Sequence, residues 1–319
     1  MQGHPAALAL RDRIARGDLL GPRLWVAGPQ LSGNAVPSVA DARRLVPEQK
    51  AAGYDLLKIQ EGLSRAVYDT IAATAKRLGI SFAGHVPNDV GLLRALAAGQ
   101  KSIDHLDNYV ETLGGPDSAD AGRIDALVAA TRTAGAWAVP TMALWETFLV
   151  GQPDTLAALP ELRYVPSQWR ANWARQLGNM RSNNPDVEAG GRVAGLRRQI
   201  LKALAQGGVR IVLGTDSPQI FSVPGFSIHR EVRVMRAAGL TPFQILESGT
   251  RRVAEYFGAE DDFGTVSAGR RADLILLEAN PLEDVGNVGR RAGVMVAGRW
   301  LPEAEIQARL ARIAEGFAR

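Results

Sequence analysis

Ser81-Phe82-Ala83-Gly84-His85-Val86 and Ser102-Ile103-Asp104-His105 are short apolar runs that each close on a histidine, and their reading decides the fold. Upstream, Leu57-Lys58-Ile59 sets a lysine inside a run of the same kind. Downstream, Leu213-Gly214-Thr215-Asp216-Ser217 closes on an aspartate. In a parallel α/β barrel the carboxyl ends of the strands converge on one mouth, so residues at such ends face one another. Lysine, two histidines and an aspartate at that mouth point to divalent-metal hydrolysis. No His-x-His pair occurs in the chain.

Around these runs, residues 6 to 250 alternate helical and strand-like segments, the βα rhythm of a parallel sheet. Expected strands are Arg23–Ala27, Leu56–Gln60, Ser81–Val86, Ser102–Leu106, Trp137–Leu144 and Arg210–Thr215. Ser38-Val39-Ala40-Asp41 reads as a capping box, and Thr241-Pro242 as an N-cap followed by proline at the first helical position. Gly99, Gly135 and Gly208 each close a helical pattern and precede a strand, as C-terminal glycines do. The segment Trp145–Arg198, with Arg163-Tyr164-Val165-Pro166, Trp169 and Trp173, is expected as a largely helical insertion at the substrate side. From Asp262 the pattern shifts to short β-like runs, Phe263–Val266, Ala272–Leu277 and Ala292–Val296, followed by a terminal amphipathic helix.

The 319 residues suit one barrel of roughly 250 residues with a small appendage, and the hydrophobic fraction of 46% suffices for a large core. No apolar run reaches the roughly 18 residues that span a bilayer. Net charge is +4, but basic side chains are dispersed among acids with no basic-aromatic platform, which argues against nucleic acid as a partner. There are no cysteines, so a metal must be held by nitrogen and oxygen. Of 37 basic residues only Lys50, Lys58, Lys76, Lys101 and Lys202 are lysine, and Lys58 alone interrupts an apolar strand. A buried lysine can shed its charge where arginine cannot. A lysine at this position therefore suggests chemistry at a neutral amine.

Together, Leu57-Lys58-Ile59-Gln60, Gly84-His85-Val86-Pro87, Ser102-Ile103-Asp104-His105, Gly214-Thr215-Asp216 and Gly269-Arg270-Arg271-Ala272-Asp273-Leu274 resemble the amidohydrolase superfamily, most closely its imidazolonepropionase-like and prolidase-like branch. The resemblance runs from about Ala6 to about Leu301. It implies an α/β fold: an incomplete TIM-like (β/α) barrel made of strands three to eight of eight, with the C-terminal part of a small β-sandwich. Residues 1–261 are then the barrel and 262–319 the sandwich remnant with its helix. Family members carry His-x-His on a first barrel strand, and Met1-Gln2-Gly3-His4 looks like the join after the second. On this reading the chain starts inside the barrel, and its open strand edges call either for a partner chain, a homo-oligomer, or for further native sequence.

The same resemblance implies a site. Lys58 matches a lysine whose carbamate bridges two metals, with His85 and His105 as further ligands of a divalent ion, zinc by preference. Asp216 matches an aspartate that holds metal and moves a proton, so that metal-bound hydroxide attacks an amide, peptide or cyclic-amide C–N bond. His229 resembles a catalytic pocket position, and Tyr164 and Arg230 are candidates for binding the substrate, a small molecule or short peptide. Blander readings stand beside these: Lys58 pairing with a barrel carboxylate, Asp216 capping a helix, and Asp104 or Asp107 orienting an imidazole or merely solvated. Without His-x-His the two-metal arrangement cannot form from these residues alone, and activity is expected to be impaired. A non-catalytic binding protein and a phosphotriesterase or lactonase are the alternatives. Localisation stays unknown: cytoplasmic as the sequence is given, with loss of an upstream leader the alternative.

Overall fold

The computed structural model describes residues 3–183 and 186–318. The chain folds as two compact units: the described residues up to Val139 with Ala203–Arg210, and Pro140–Lys202 with Ile211 onward. The stretch from residue 262 belongs to the second unit.

In the first unit, β1 (Leu56–Ile59), β2 (Ser81–Gly84), β3 (Ser102–Asp104) and β4 (Trp137–Val139) form a parallel sheet in that order. Helices α1 (Pro5–Ala15), α2 (Val39–Ala51), α3 (Arg65–Leu78), α4 (Leu92–Ala98), α5 (Tyr109–Leu113) and α6 (Ala121–Thr133) alternate with them. Strand interiors are apolar because helices cover the sheet, and Leu57, Ile59, Ile103 and Ala138 are fully buried. Helix α3 shows how locally the elements are specified. Ser64 caps its start by accepting from the Val67 N–H, Val67, Tyr68, Ile71, Ala72 and Ala75 make one buried stripe, and left-handed Gly79 ends it. Gly99, Gly135 and Gly208 all take the left-handed conformation their positions demand.

Two expected strands shrink. Arg23–Ala27 contributes one bridge, Ala27 to Leu56, although the Gly28 and Leu31 N–H groups still bond the carbonyls of Leu56 and Lys58. Arg210–Thr215 forms no regular strand, although the Arg210 carbonyl accepts from the Ala138 N–H. The strand expected to reach Leu144 stops at Val139. Pro140 supplies no N–H for a ladder, Thr141 turns left-handed at φ 44°, and a helix begins at Met142. The join proposed for residues 1–4 lies partly outside the described residues. Within them, His4 caps α1 by accepting from the Ala6 N–H.

The second unit carries α7 (Met142–Val150), α8 (Pro153–Ala157), α9 (Ser167–Asn183) and most of α10 (Val187–Gln206), the helical insertion foreseen from the sequence. Leu156, Leu162, Val165, Trp173 and Leu177 make its core with Ile220, Phe221 and Val223. Further on lie α11 (Ser227–Ala237), α12 (Pro242–Ser248) and α13 (Arg251–Phe257). Thr241 and Gln244 form a full capping box at α12. An antiparallel sheet of β5 (Leu274–Leu277), β6 (Arg291–Val296) and β7 (Arg299–Pro302) precedes α14 (Glu303–Phe317). Phe263–Val266 is bend and irregular chain, not strand. Conversely, β7 was not foreseen. The left-handed pair Ala297-Gly298 (φ 50° and 79°) closes a tight hairpin that brings it back along β6. Most of β5 is exposed despite its Leu-Ile-Leu-Leu sequence. Among the described residues no helix is long and apolar enough to cross a membrane.

Candidate active site

Strand register decides what the carboxyl ends of β1 to β3 present. Lys58 pairs with Ala83, and Gly84 pairs with Ile103. Side chains alternate along a strand, so Ser102 and Asp104 emerge on one face of β3. The Lys58 ammonium lies 2.8 Å from Asp104 Oδ2, while Ser102 Oγ donates to Asp104 Oδ1 at 2.9 Å. Burial alone would raise the Asp104 carboxyl. The charges of Lys58 and His105 and the two hydrogen bonds outweigh it and hold the group below the usual carboxylate range. Thus the pairing of Lys58 with a barrel carboxylate, the plainer of its two sequence readings, is the contact formed.

The two histidines meet. Their ring centroids are 4.5 Å apart with the planes tilted by 35°. His105 is 3% exposed, and burial, opposed by Asp104, pushes its pKa down to about 4. Its ring is therefore neutral at physiological pH, the form that ligates a metal. Asp107 Oδ2 lies 2.7 Å from His85 Nδ1, the contact of an acceptor that fixes the tautomer of an imidazole. Of the two aspartates weighed as orienting groups, Asp107 holds the His85 ring and Asp104 holds the lysine.

Backbone geometry aims these side chains. Gly84 sits at φ 130°, and a Cβ there would come 2.4 Å from the Ile59 carbonyl oxygen. Only glycine lets β2 turn so close to β1 and deliver His85. His105, Leu106 and Asn108 are all left-handed, a tight reversal after β3 that leaves Asp107 beside His85. Buried Gln100, which the sequence reading passed over, bonds the carbonyls of Gly84, His85 and Ser102 through Nε2. Its Oε1 accepts from the Tyr68 hydroxyl at 2.7 Å. Asn108 Nδ2 bonds the Val86 carbonyl at 2.7 Å, so the turns after β2 and β3 are tied together.

Glu61 was also missed. It follows β1 in a turn whose next residue, Gly62, is left-handed, and its carbonyl accepts from Gly33 at 3.0 Å. Glu61, His85 and Asp107 each offer a ligand atom, all within 4.8 Å of one another, a group able to hold a cation among the described residues. Partial desolvation of its carboxyl, with the Asp107 charge, raises the pKa of Glu61, whose residue is otherwise exposed, and His85 pulls it down. The donor chemistry of this end of the sheet, imidazole nitrogen and carboxylate oxygen, fits a divalent metal of the zinc or manganese kind.

The remaining candidates belong to the second unit. Asp216 is left-handed (φ 52°) and accepts from Gln219 Nε2 at 3.3 Å. The next helix starts only at Ser227, so Asp216 does not cap one. His229 is half-buried in α11 and lines a largely apolar cavity of about 510 Å³ with Leu213, Phe226, Ile275 and Arg291. Burial and the charges of Arg291 and Arg233 lower its pKa. Arg230 directs Nη1 to the Phe221 carbonyl and Nη2 to the Thr147 hydroxyl, so both atoms bond within the fold. Tyr164 stacks on Phe226 at 4.8 Å beneath the Arg163 guanidinium.

A family model described as the amidohydrolase family matches residues 2–301. Ochratoxinase of Aspergillus niger is 23% identical over 296 residues, covering 85% of this chain and 52% of the relative. The chain thus spans about half the length of the curated relatives it matches first. Among solved structures, bottromycin amidohydrolase superposes with a TM-score of 0.79 at 25% identity, over 99% of this chain and 73% of the other. A Xaa-Pro dipeptidase with bound methionine gives 0.65 at 20% identity, over 93% and 72%, a likeness of fold. With its parallel sheet, paired histidines and strand-end lysine already in place, a match across nearly the whole sequence leaves one conclusion: the chain belongs to the amidohydrolase family.

Proposed function

We propose that this chain is the metal-binding part of a hydrolase that cleaves amide or peptide C–N bonds in small molecules or short peptides. The carrying observation is the His85–His105 pair, 4.5 Å ring to ring at the ends of strands whose neighbour bears Lys58. Relatives named as amidohydrolase, dipeptidase and ochratoxinase support the bond class. In this reading the parallel sheet belongs to a (β/α) barrel of which the chain supplies strands three to eight.

Lys58, His85 and His105 would hold the cation, zinc by preference, with Lys58 as the carbamate that its neutral amine forms with carbon dioxide, releasing one proton. A divalent cation so held supplies polarisation of the scissile carbonyl and water activated at neutral pH. Asp107 keeps the His85 tautomer fixed, and buried His105 stays neutral. Asp216 is assigned the proton transfer, as base and then acid, on the resemblance alone. His229 is assigned as a catalytic pocket residue on its resemblance and Tyr164 as a substrate contact on the chemistry of its side chain, whereas Arg230, bonded to Phe221 and Thr147, is assigned neither. The exposed apolar strand β5 is covered by a second copy of the chain.

Elemental analysis of purified protein, with hydrolysis of a panel of Xaa-Pro dipeptides and N-acyl amino acids, tests this reading. Expected are stoichiometric metal and turnover lost in His105→Ala. No metal, and no hydrolysis after zinc or manganese is added, overturns it. A second reading, a non-catalytic ligand-binding relative, is favoured by the Lys58–Asp104 ion pair. It predicts full folding with neither metal nor turnover.

A further inference from the structure

We propose that Glu61, His85 and Asp107 form a cation seat of their own, which loads an oxygen-preferring divalent ion of the manganese class while Lys58 stays paired with Asp104. The inference rests on the metal-dependent reading above but assigns different residues.

The three side chains come from the turns after β1, β2 and β3, so successive strand ends each supply one donor. Their ligand atoms lie within 4.8 Å of one another. Donors that bind one ion at roughly 2.0–2.3 Å lie up to about 4.5 Å apart, so small rotamer changes close the cradle. One imidazole and two carboxylates are a harder set than one with two imidazoles, and so suit manganese or iron(II) better than that set does, with zinc as the competing ion. Charge points the same way. Two carboxylates flank one imidazole, whereas the Lys58 cation is 2.8 Å from Asp104 and is spent there. The backbone is set as well. The Glu61 carbonyl is bonded to Gly33, and a Cβ on Gly33 would sit 2.1 Å from the Gly62 oxygen, so only glycine lets those two turns meet. The Asp107 turn is tied to the His85 turn through Asn108. When the cation enters, His85 exchanges its 2.7 Å contact with Asp107 for a shared ion. His85 is common to both arrangements, and the two differ in every other donor.

The test uses the full chain stripped with a chelator and titrated with Mn²⁺, reading the free ion by electron paramagnetic resonance. Circular dichroism checks the fold of each variant. Lys58→Gln cannot form a carbamate yet keeps a donor for Asp104. One Mn²⁺ per chain is expected in the parent and in Lys58→Gln, with affinity at least tenfold weaker in Glu61→Gln and Asp107→Asn. Glu61 is exposed, so its variant stays informative even where Asp107→Asn fails to fold. Unchanged affinity in Glu61→Gln overturns the seat, and if Lys58→Gln and His105→Ala then lose the ion, the family arrangement stands without it. Loss in both Glu61→Gln and Lys58→Gln overturns the claim of separate seats. No binding of Mn²⁺ or Zn²⁺ by the parent overturns both readings.

Discussion

At the scale of single residues, the pair Lys58–Asp104 carries the most consequence. Both side chains are largely buried, at 13% and 18% exposure, and removing one partner strands the other's charge. Lys58→Met is expected to destabilise by about 3 kcal/mol, whereas Lys58→Met with Asp104→Leu recovers most of that loss. Urea titration of the two variants and the parent measures the cycle. A double variant no more stable than the single shows that the pair does not act as a unit. His105 gives a second, independent handle. Its pKa falls from 6.5 in the unfolded chain to about 4 in the fold. The stability it confers is therefore complete above pH 6.5 and is lost as pH falls through 4, a change of a few kcal/mol. Chelator-treated protein should lose stability across that window, and His105→Asn should flatten the loss. The sequence disclosed Lys58, His85 and His105 because a polar residue in an apolar run is conspicuous. Glu61 and Gln100 stayed hidden, since glutamate before glycine and glutamine after glycine look like any turn. Only the register of the parallel ladder shows where their side chains go.

At the scale of elements, α7 is anchored by a residue far along the chain. Glu231 of α11 is fully buried, and its two oxygens accept from the Met142 and Ala143 N–H groups at 2.8 Å each. Thr141 makes no side-chain cap, so Glu231 satisfies donors that the helix start would otherwise leave bare. Burial pushes the Glu231 carboxyl from 4.5 to about 7, against the pull of those two bonds. Here the sign is opposite to that of His105. The fold prefers the protonated group, so this stability is complete below pH 4.5 and is lost as pH rises through 7. Glu231→Gln, which can accept from only one of the two N–H groups, is expected to remove that pH dependence and to cost about 1–3 kcal/mol at low pH. Thermal melts from pH 4 to 8 check both effects, and an unchanged slope refutes the assignment. Sequence patterns marked the start of α2 at Ser38, the end of α6 near Gly135 and the start of α12 at Thr241 because each signal lies within a few residues. The α7 anchor spans 88 residues between Ala143 and Glu231, and no local pattern encodes it.

At the scale of the whole molecule, the alternation of strand and helix made the parallel sheet legible, and four of the six expected strands formed. The two that did not, Arg23–Ala27 and Arg210–Thr215, lie before and after the four regular strands. The C-terminal sheet was readable at β5 and β6, but its hairpin return depended on Ala297 adopting a left-handed conformation that alanine rarely takes. Strand β5 pairs with β6 on one edge, and Ile275 and Leu276 are 58% and 56% exposed. Sedimentation should therefore find the chain self-associated at micromolar concentration, and Ile275→Lys should shift it toward monomer. A parent that sediments as a monomer at all concentrations removes the case for a second copy.

That same ribbon bears on how the protein is made. Residues 274–277 leave the ribosome after all four strands of the parallel sheet, so the greasy segment emerges late. Slowed synthesis past this point, or an excess of unassembled chains, lengthens the interval in which neighbouring polypeptides can capture it. Yield in an expression host should then depend on the supply of chaperones more than on the stability of the finished fold.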